Sequence, residues 1–208
     1  MPNRLQISIF LFVAAAIWAS LLVIEGVAVQ STWARPFSTV VGVLVLLLLA
    51  FDLWLWKIPL LQGWFVYRPN IRGTWRIQLQ SNWIDPKTNQ GIPSIAAFLV
   101  IRQTFSMLSM RLHTPESSSE LLGAEITKAS DSTFRVLGIY RNEPRLSVRD
   151  RSSIHYGGLV LDITDGQALA LSGHYWTDRN TCGEIRSIER KPQISGSYED
   201  ANRLFSIS

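Results

Sequence analysis

Between Gly173 and Arg190 the chain reads GHYWTDRNTCGEIRSIER, a run that mixes aromatic rings, arginines and small hydroxyls. An arginine forks onto a phosphate through paired N–H groups, and an aromatic face stacks a base. Tyr175, Thr177 and Arg179 share one strand parity with Leu169, Leu171 and Gly173, so polar groups and an aromatic face the same space as apolar ones. Such groups would let a folded domain read a small nucleotide, and a buried arginine is costly unless a charge matches it. The structural alternative pairs Arg179 with Asp178 or Glu184 at a rim. Arg102 and Arg111 present the same choice.

Other chemistries lack their residues. No GxxxxGK[ST], GxSxG or HExxH occurs, and His113, His155 and His174 are not spaced as metal ligands. His174 lies near Asp178 but opposite in parity to Tyr175, which reads as a histidine on a strand surface. The expectation is therefore a protein that is not an enzyme and has neither a metal site nor a resident cofactor. Cys182 stands alone, which excludes an intrachain disulfide and suits a reducing compartment. The net charge of +4 falls to +2 from Asn70 onward, sixteen Lys and Arg against fourteen Asp and Glu. That balance argues against a DNA or RNA polymer as partner, so anion binding must come from local placement. The stretch RNEPRLSVRDR, from Arg141 to Arg151, reads as a solvated loop or as a contact for anionic headgroups.

The elements that position these groups follow from periodicity. After Gly73, short β-rich runs alternate with turn residues. Eight strands are predicted, over Gly73–Ser81, Ser94–Gln103, Phe105–Thr114, Leu121–Lys128, Thr133–Arg141, Ser153–Ile163, Gln167–Thr177 and Thr181–Lys191. Turn signals separate them at Asp85-Pro86 to Gly91, Pro115 to Ser119, Ser130 to Ser132, Asn142 to Pro144, and Thr164-Asp165-Gly166. Eight sequential antiparallel strands close most economically into an up-and-down barrel, whose interior fits side chains or one small ligand. Trp75, Ile77 and Leu79 share one face of the first strand, and Phe134, Val136, Gly138 and Tyr140 line up on the fifth. The tail from Ser197 to Phe205 is expected to form a short helix plugging one end.

The first 59 residues need a different solvent. The run Ile7–Ile24 carries no charge, and Ser38–Trp56 is of similar length with Asp52 near its end. At about 1.5 Å per residue both approach the thickness of a bilayer core. With only Glu25 to Phe37 between them, they form an antiparallel transmembrane hairpin. Arg4, Lys57, Arg68 and Arg72 flank it on one side against Arg35 in the loop, which puts both termini in the cytoplasm. A cleaved signal peptide is the alternative for the first run. Asp52 either reaches headgroups and Lys57 or faces a bundle interior, where Ser20 and Ser38 would join it in an oligomer. The chain thus divides into a two-helix hairpin over 1–59, a juxtamembrane linker over 60–72, and a β-barrel over 73–208 with a short C-terminal tail.

Two N-terminal helices, then Pro69-Asn70-Ile71-Arg72-Gly73-Thr74-Trp75 opening a β-rich domain, then Leu171 to Arg179 and Thr181-Cys182-Gly183-Glu184, resemble the SMODS-associating two-transmembrane β-strand-rich effectors. These belong to CBASS, the bacterial cyclic-oligonucleotide-based antiphage signalling system. The resemblance covers nearly the whole chain. It implies a minimal eight-stranded barrel that binds a cyclic dinucleotide made by a cognate nucleotidyltransferase. Binding would drive homo-oligomerisation, and the hairpins would disrupt the lipid of the bacterial inner membrane so that the infected cell dies. The motif carries Trp75, Tyr175, Thr177 and Arg179 into the ligand site, and strand parity adds Arg102, Arg111, Tyr140 and Tyr156. A rival reading from the same Gly73-Thr74-Trp75 opening is a membrane-tethered lipocalin-like barrel holding a lipid or other apolar ligand.

Overall fold

A computed structural model describes residues 31–84, 89–131, 133–166 and 168–206, with nine scattered positions between 8 and 24, and side chains within the first helix from Val41 onward. The chain divides into two units. One comprises residues 1–67 together with 104–106, and the other comprises 68–103 and 107–208.

The larger unit is a closed barrel of eight antiparallel strands in sequential order. They are β1 (Gly73–Ser81), β2 (Ile95–Gln103), β3 (Leu108–His113), β4 (Ser117–Lys128), β5 (Phe134–Pro144), β6 (His155–Asp165), β7 (Leu169–Thr177) and β8 (Cys182–Lys191). Closure pairs β1 with β8 and leaves no edge strand. The expected fold class is found for this part of the chain, while several strand ends move. β4 begins at Ser117 because Thr114 N–H donates to the Ser117 carbonyl at 2.9 Å, closing the β3–β4 turn across Pro115 and Glu116 alone. β5 runs through the expected turn to Pro144, since Asn142 and Glu143 still find ladder partners in β4.

Inside, alternation fills the barrel. Sixteen buried apolar residues form one cluster, with Trp75, Ile77, Leu161, Leu171 and Val136 among the most completely enclosed. Eight strands leave an interior just wide enough for such side chains, each worth about 1.5–3 kcal/mol when fully buried. Two bulges shift the alternation. The extra residue at Leu122 in β4 and at Ile188 in β8 turns each of these large side chains out to solvent.

The C-terminal helix α2 (Tyr198–Ser206) does not plug an end of the barrel. Ala201 and Phe205 pack on Phe98, which stands on the outer face of β2, and the Phe98 and Phe205 rings stack at 5.5 Å. An apolar residue on an outward position needs a cover, and α2 supplies it. Ser197 caps the helix, its hydroxyl accepting from Asp200 N–H at 3.1 Å.

In the smaller unit, α1 (Ser31–Leu53) is followed by 3-10 turns at Leu55–Lys57 and Pro59–Leu61. The helix begins seven residues before the expected Ser38 and takes in part of the expected loop. Among the described residues no helix is long and apolar enough to cross a membrane, so a hairpin is not seen among them. Most of the run Ile7–Ile24 and the side chain of Ser38 lie outside the described residues. Ser20 donates to the Ala16 carbonyl at 2.8 Å, one helical turn back. Asp52 belongs to the last turn of α1. It is buried, and its carboxylate accepts from the Ser106 N–H at 2.8 Å and the Thr104 hydroxyl at 3.3 Å.

Candidate functional site

One end of the barrel, formed by the ends of β1, β5 and β7 and the starts of β4, β6 and β8, carries a polar layer over the aliphatic core. Ser119, Asn142, His155 and Thr177 are all buried there. Asn142 lies opposite Ser119 on one side and His155 on the other, so all three point the same way. The Ser119 hydroxyl donates to the Asn142 side-chain oxygen at 2.8 Å. Burial lowers the pKa of His155, with Arg179 adding to the effect and the Ser153 carbonyl opposing it, so the ring stays neutral.

Beneath this layer lie two phenols. Tyr140 is buried and donates to the Trp176 carbonyl at 3.3 Å. Burial pushes its pKa up, Tyr175 and Asp178 push the same way, and Arg179 opposes them. Tyr175 is raised chiefly by burial, against a hydrogen bond with Ser81. Both phenols therefore remain neutral hydrogen-bonding groups. Two glycines make room for them. A β-carbon on Gly157 would lie 2.5 Å from the Tyr140 hydroxyl, and one on Gly183 would lie 2.7 Å from that of Tyr175.

Arg179 stands in the β7–β8 turn rather than on the strand. β7 ends at Thr177, whose N–H donates to the Thr181 carbonyl at 2.9 Å, enclosing a three-residue loop that finishes with Asn180 at φ +56°. This is the hairpin in which the last loop residue turns left-handed, a conformation asparagine tolerates. The Thr177 and Thr181 hydroxyls meet at 2.7 Å and stiffen the loop's base. The Arg179 guanidinium reaches the Ser152 hydroxyl at 3.4 Å and makes no ion pair among the described residues. The proposed pairing with Asp178 or Glu184 is thus not formed, because Asp178 instead accepts from the Tyr156 N–H at 3.1 Å.

The remaining expected site residues disperse. Trp75 faces inward but lies toward the other end, fully buried, with its indole N–H donating to the Ile71 carbonyl at 2.9 Å. The Arg190 guanidinium sits 5.3 Å from its ring and donates to the Arg72 carbonyl at 2.7 Å. Arg102, Arg111 and Tyr156 stand on the outer wall, since Ile101, Met110 and Gly157 hold the adjacent inward positions. Arg111 pairs there with Glu120 at 2.9 Å. Tyr140 faces the interior, as parity predicts, and those three face outward, against it. His155, Asn142 and Ser119 were missed because the last two fell in segments read as turns.

A cleft of about 440 Å³ opens on the outer wall, lined by Arg111, His113, Ser117, Arg145, Arg149 and the first turn of α2. Its guanidiniums are answered by carboxylates: Arg145 meets Glu199 at 2.5 Å and Arg149 meets Glu143 at 2.8 Å. The Arg141–Arg151 stretch is therefore a neutralised wall rather than a free cationic surface. Burial lowers the pKa of His113 within it, with Arg111 adding to the effect and Glu199 opposing it. His174 is exposed and tilts against Trp176 on the outer face. Among the described residues no group of three His, Cys, Asp or Glu is placed to hold a metal.

A closed eight-stranded barrel with a filled core, a buried polar layer and, at one end, an arginine that makes no ion pair among the described residues has the form of a ligand-binding barrel. Comparison with known families matches residues 66–189, more than half of the chain, to the family described as Cap15, cyclic dinucleotide receptor domain; the chain belongs to that family. A search of curated proteins finds no match.

Proposed function

We propose that this protein is an effector of CBASS antiphage defence whose barrel binds a cyclic dinucleotide made by a cognate nucleotidyltransferase. The observation that carries the reading is Arg179, a guanidinium that makes no ion pair among the described residues and adjoins the buried polar layer over Tyr140 and Tyr175. A phosphodiester supplies the missing charge, and neutral phenols and hydroxyls hydrogen-bond base or sugar edges without repelling it. Membership of a cyclic dinucleotide receptor family supports the ligand class. The role is that of a receptor, with no catalytic step assigned to the chain.

The output of this reading is the inner membrane. On α1, Val43, Leu44, Leu46, Leu47, Leu48 and Leu49 are all exposed, which covers every side of that part of the helix. A helix apolar all round requires apolar surroundings, and lipid supplies them. The proposal is a multi-pass protein with both termini cytoplasmic, which oligomerises when ligand binds and disrupts the bilayer through its hairpins. A ligand shifts assembly only by binding the assembled form more tightly.

The lipocalin-like alternative fits less well, because the space a lipid would need is occupied by the sixteen-residue core. Calorimetry of the purified full chain against a panel of cyclic dinucleotides tests the proposal. Saturable binding of one member is expected, and no heat with any member would refute it. Native mass spectrometry showing a stoichiometric co-purified lipid would favour the alternative.

A further inference from the structure

Asp52 holds three successive residues of the β2–β3 connection. Its carboxylate accepts from the Ser106 N–H at 2.8 Å and the Thr104 hydroxyl at 3.3 Å, and its own carbonyl accepts from the Phe105 N–H at 2.9 Å. The Phe105 ring packs edge-on against Phe51 at 4.9 Å and tilts against the fully buried Trp56 at 6.3 Å. One tripeptide is thus fixed through both its backbone and its ring.

Two physical points make this more than a turn contact. A carboxylate in the last turn of a helix faces the negative end of the helix dipole, so its retention there needs compensating donors. The Ser106 amide and the Thr104 hydroxyl are such donors, and hydrogen bonds to an ionised acceptor are about twice as strong as neutral ones. Residues 104–106 also group with the unit that contains α1, while β2 and β3 on either side of them belong to the barrel unit. The connection from Gln103 to Leu108 is short, so a change in the twist or register of β2 and β3 has few bonds in which to dissipate.

We propose that Asp52 and residues 104–106 form the joint through which ligand occupancy of the barrel reaches α1, with Asp52 a positioning residue that touches no ligand. The inference rests on the ligand-gated reading given above. The joint holds the tripeptide on the end of α1. Ligand-driven movement of β2 and β3 pulls on the three bonds to Asp52 and so on the helix.

The test compares full-length wild type with Asp52→Asn and Asp52→Ala, reconstituted in phosphatidylethanolamine–phosphatidylglycerol vesicles loaded with dye. The cyclic dinucleotide probe is the member of a panel that binds wild type. Three quantities are read: ligand affinity, ligand-triggered dye release, and hydrogen exchange of the Phe105 and Ser106 amides without ligand. Both variants are expected to keep ligand affinity within about twofold while the two amides exchange at least tenfold faster. Dye release should fall at least tenfold for Asp52→Ala and less for Asp52→Asn, which keeps an oxygen acceptor without the charge. Release equal to wild type, or amide exchange unchanged, would overturn the joint. Loss of ligand affinity in step with release would also overturn it, by making Asp52 part of the binding fold. If wild type binds the ligand but releases no dye, the membrane reading fails, whereas the exchange comparison still reports whether Asp52 holds the tripeptide.

Discussion

The bare backbone of Gly157 is what admits the Tyr140 hydroxyl to the polar end of the barrel: a β-carbon there would lie 2.5 Å from that oxygen and 2.2 Å from the Trp176 carbonyl. Gly183 stands in the same relation to Tyr175, with the Gln80 carbonyl 2.3 Å away. In each case one neighbour is backbone in a closed sheet and cannot step aside cheaply. Gly157→Ala and Gly183→Ala should each cost about 1–3 kcal/mol through overpacking. Each should also weaken cyclic dinucleotide binding by displacing a phenol. Urea unfolding together with calorimetry checks this, and an alanine variant with native stability and affinity would contradict it.

Arg179 and Arg149 separate the polar end from the outer cleft. Arg179 lies on an exposed turn with one long contact to Ser152, so Arg179→Ala should leave the unfolding midpoint unchanged. Ligand affinity should drop at least tenfold, the cost of about 1.4 kcal/mol or more for a lost charge-assisted contact. Arg149→Ala removes an exposed ion pair with Glu143, worth about 1 kcal/mol at most. Its ligand affinity should match wild type. The reverse pattern would move the ligand to the cleft.

Trp75 is a residue of the core. Trp75→Ala should lower stability by about 3–5 kcal/mol, through the cavity and through loss of its bond to the Ile71 carbonyl. Arg102→Ala, Arg111→Ala and Tyr156→Ala sit on the outer wall and should change neither stability nor ligand affinity appreciably. Denaturant titration of the four variants reads the difference directly. A stable Trp75→Ala that binds no ligand would restore Trp75 to the site.

The two buried histidines predict an acid shoulder. Both pKa values are lowered below the ordinary 6.5, so between that value and the native one the unfolded chain holds more protons than the folded chain. Their contribution is complete above about pH 6.5 and is lost as pH falls toward the native pKa. His113→Gln combined with His155→Gln should flatten the decline in urea midpoint between about pH 7 and pH 5, above the range of most carboxylates. An unchanged slope would show that the rings already take up protons freely in the folded state.

The tyrosines act at the alkaline end. Tyr140 and Tyr175 have raised pKa values, so the unfolded chain loses those protons first and stability falls as pH rises past about 10. Absorbance titration of phenolate should show two groups ionising after the rest in the native protein. Tyr140→Phe should remove one of them, and a single homogeneous transition in wild type would contradict the burial.

Period-two patterning is a local property, and it located all eight strands and the inward faces of β1, β5 and β7. Register is not local. Strand parity alone puts Arg102, Arg111 and Tyr156 inward, whereas the inward positions beside them are taken by Ile101, Met110 and Gly157. The polar layer was hidden because Ser119 and Asn142 occur in stretches rich in turn formers, and only cross-strand pairing with each other and His155 makes them strand residues. Phe98 gave no sign that α2 would cover it, since an outward apolar residue in β2 predicts a cover but not which segment provides it. Asp52 is legible as an anomaly near a helix end, but the groups of Thr104 and Ser106 that donate to it lie more than fifty residues away in sequence.

The most direct test of the account is a hydrogen-exchange footprint of the full chain with and without a saturating cyclic dinucleotide. Protection is predicted at Tyr140, at 155–157 and from Tyr175 through Gly183, with the cleft segments 145–149 and 196–199 unchanged. Protection confined to the cleft, or no ligand-dependent protection at the polar end of the barrel, would contradict it.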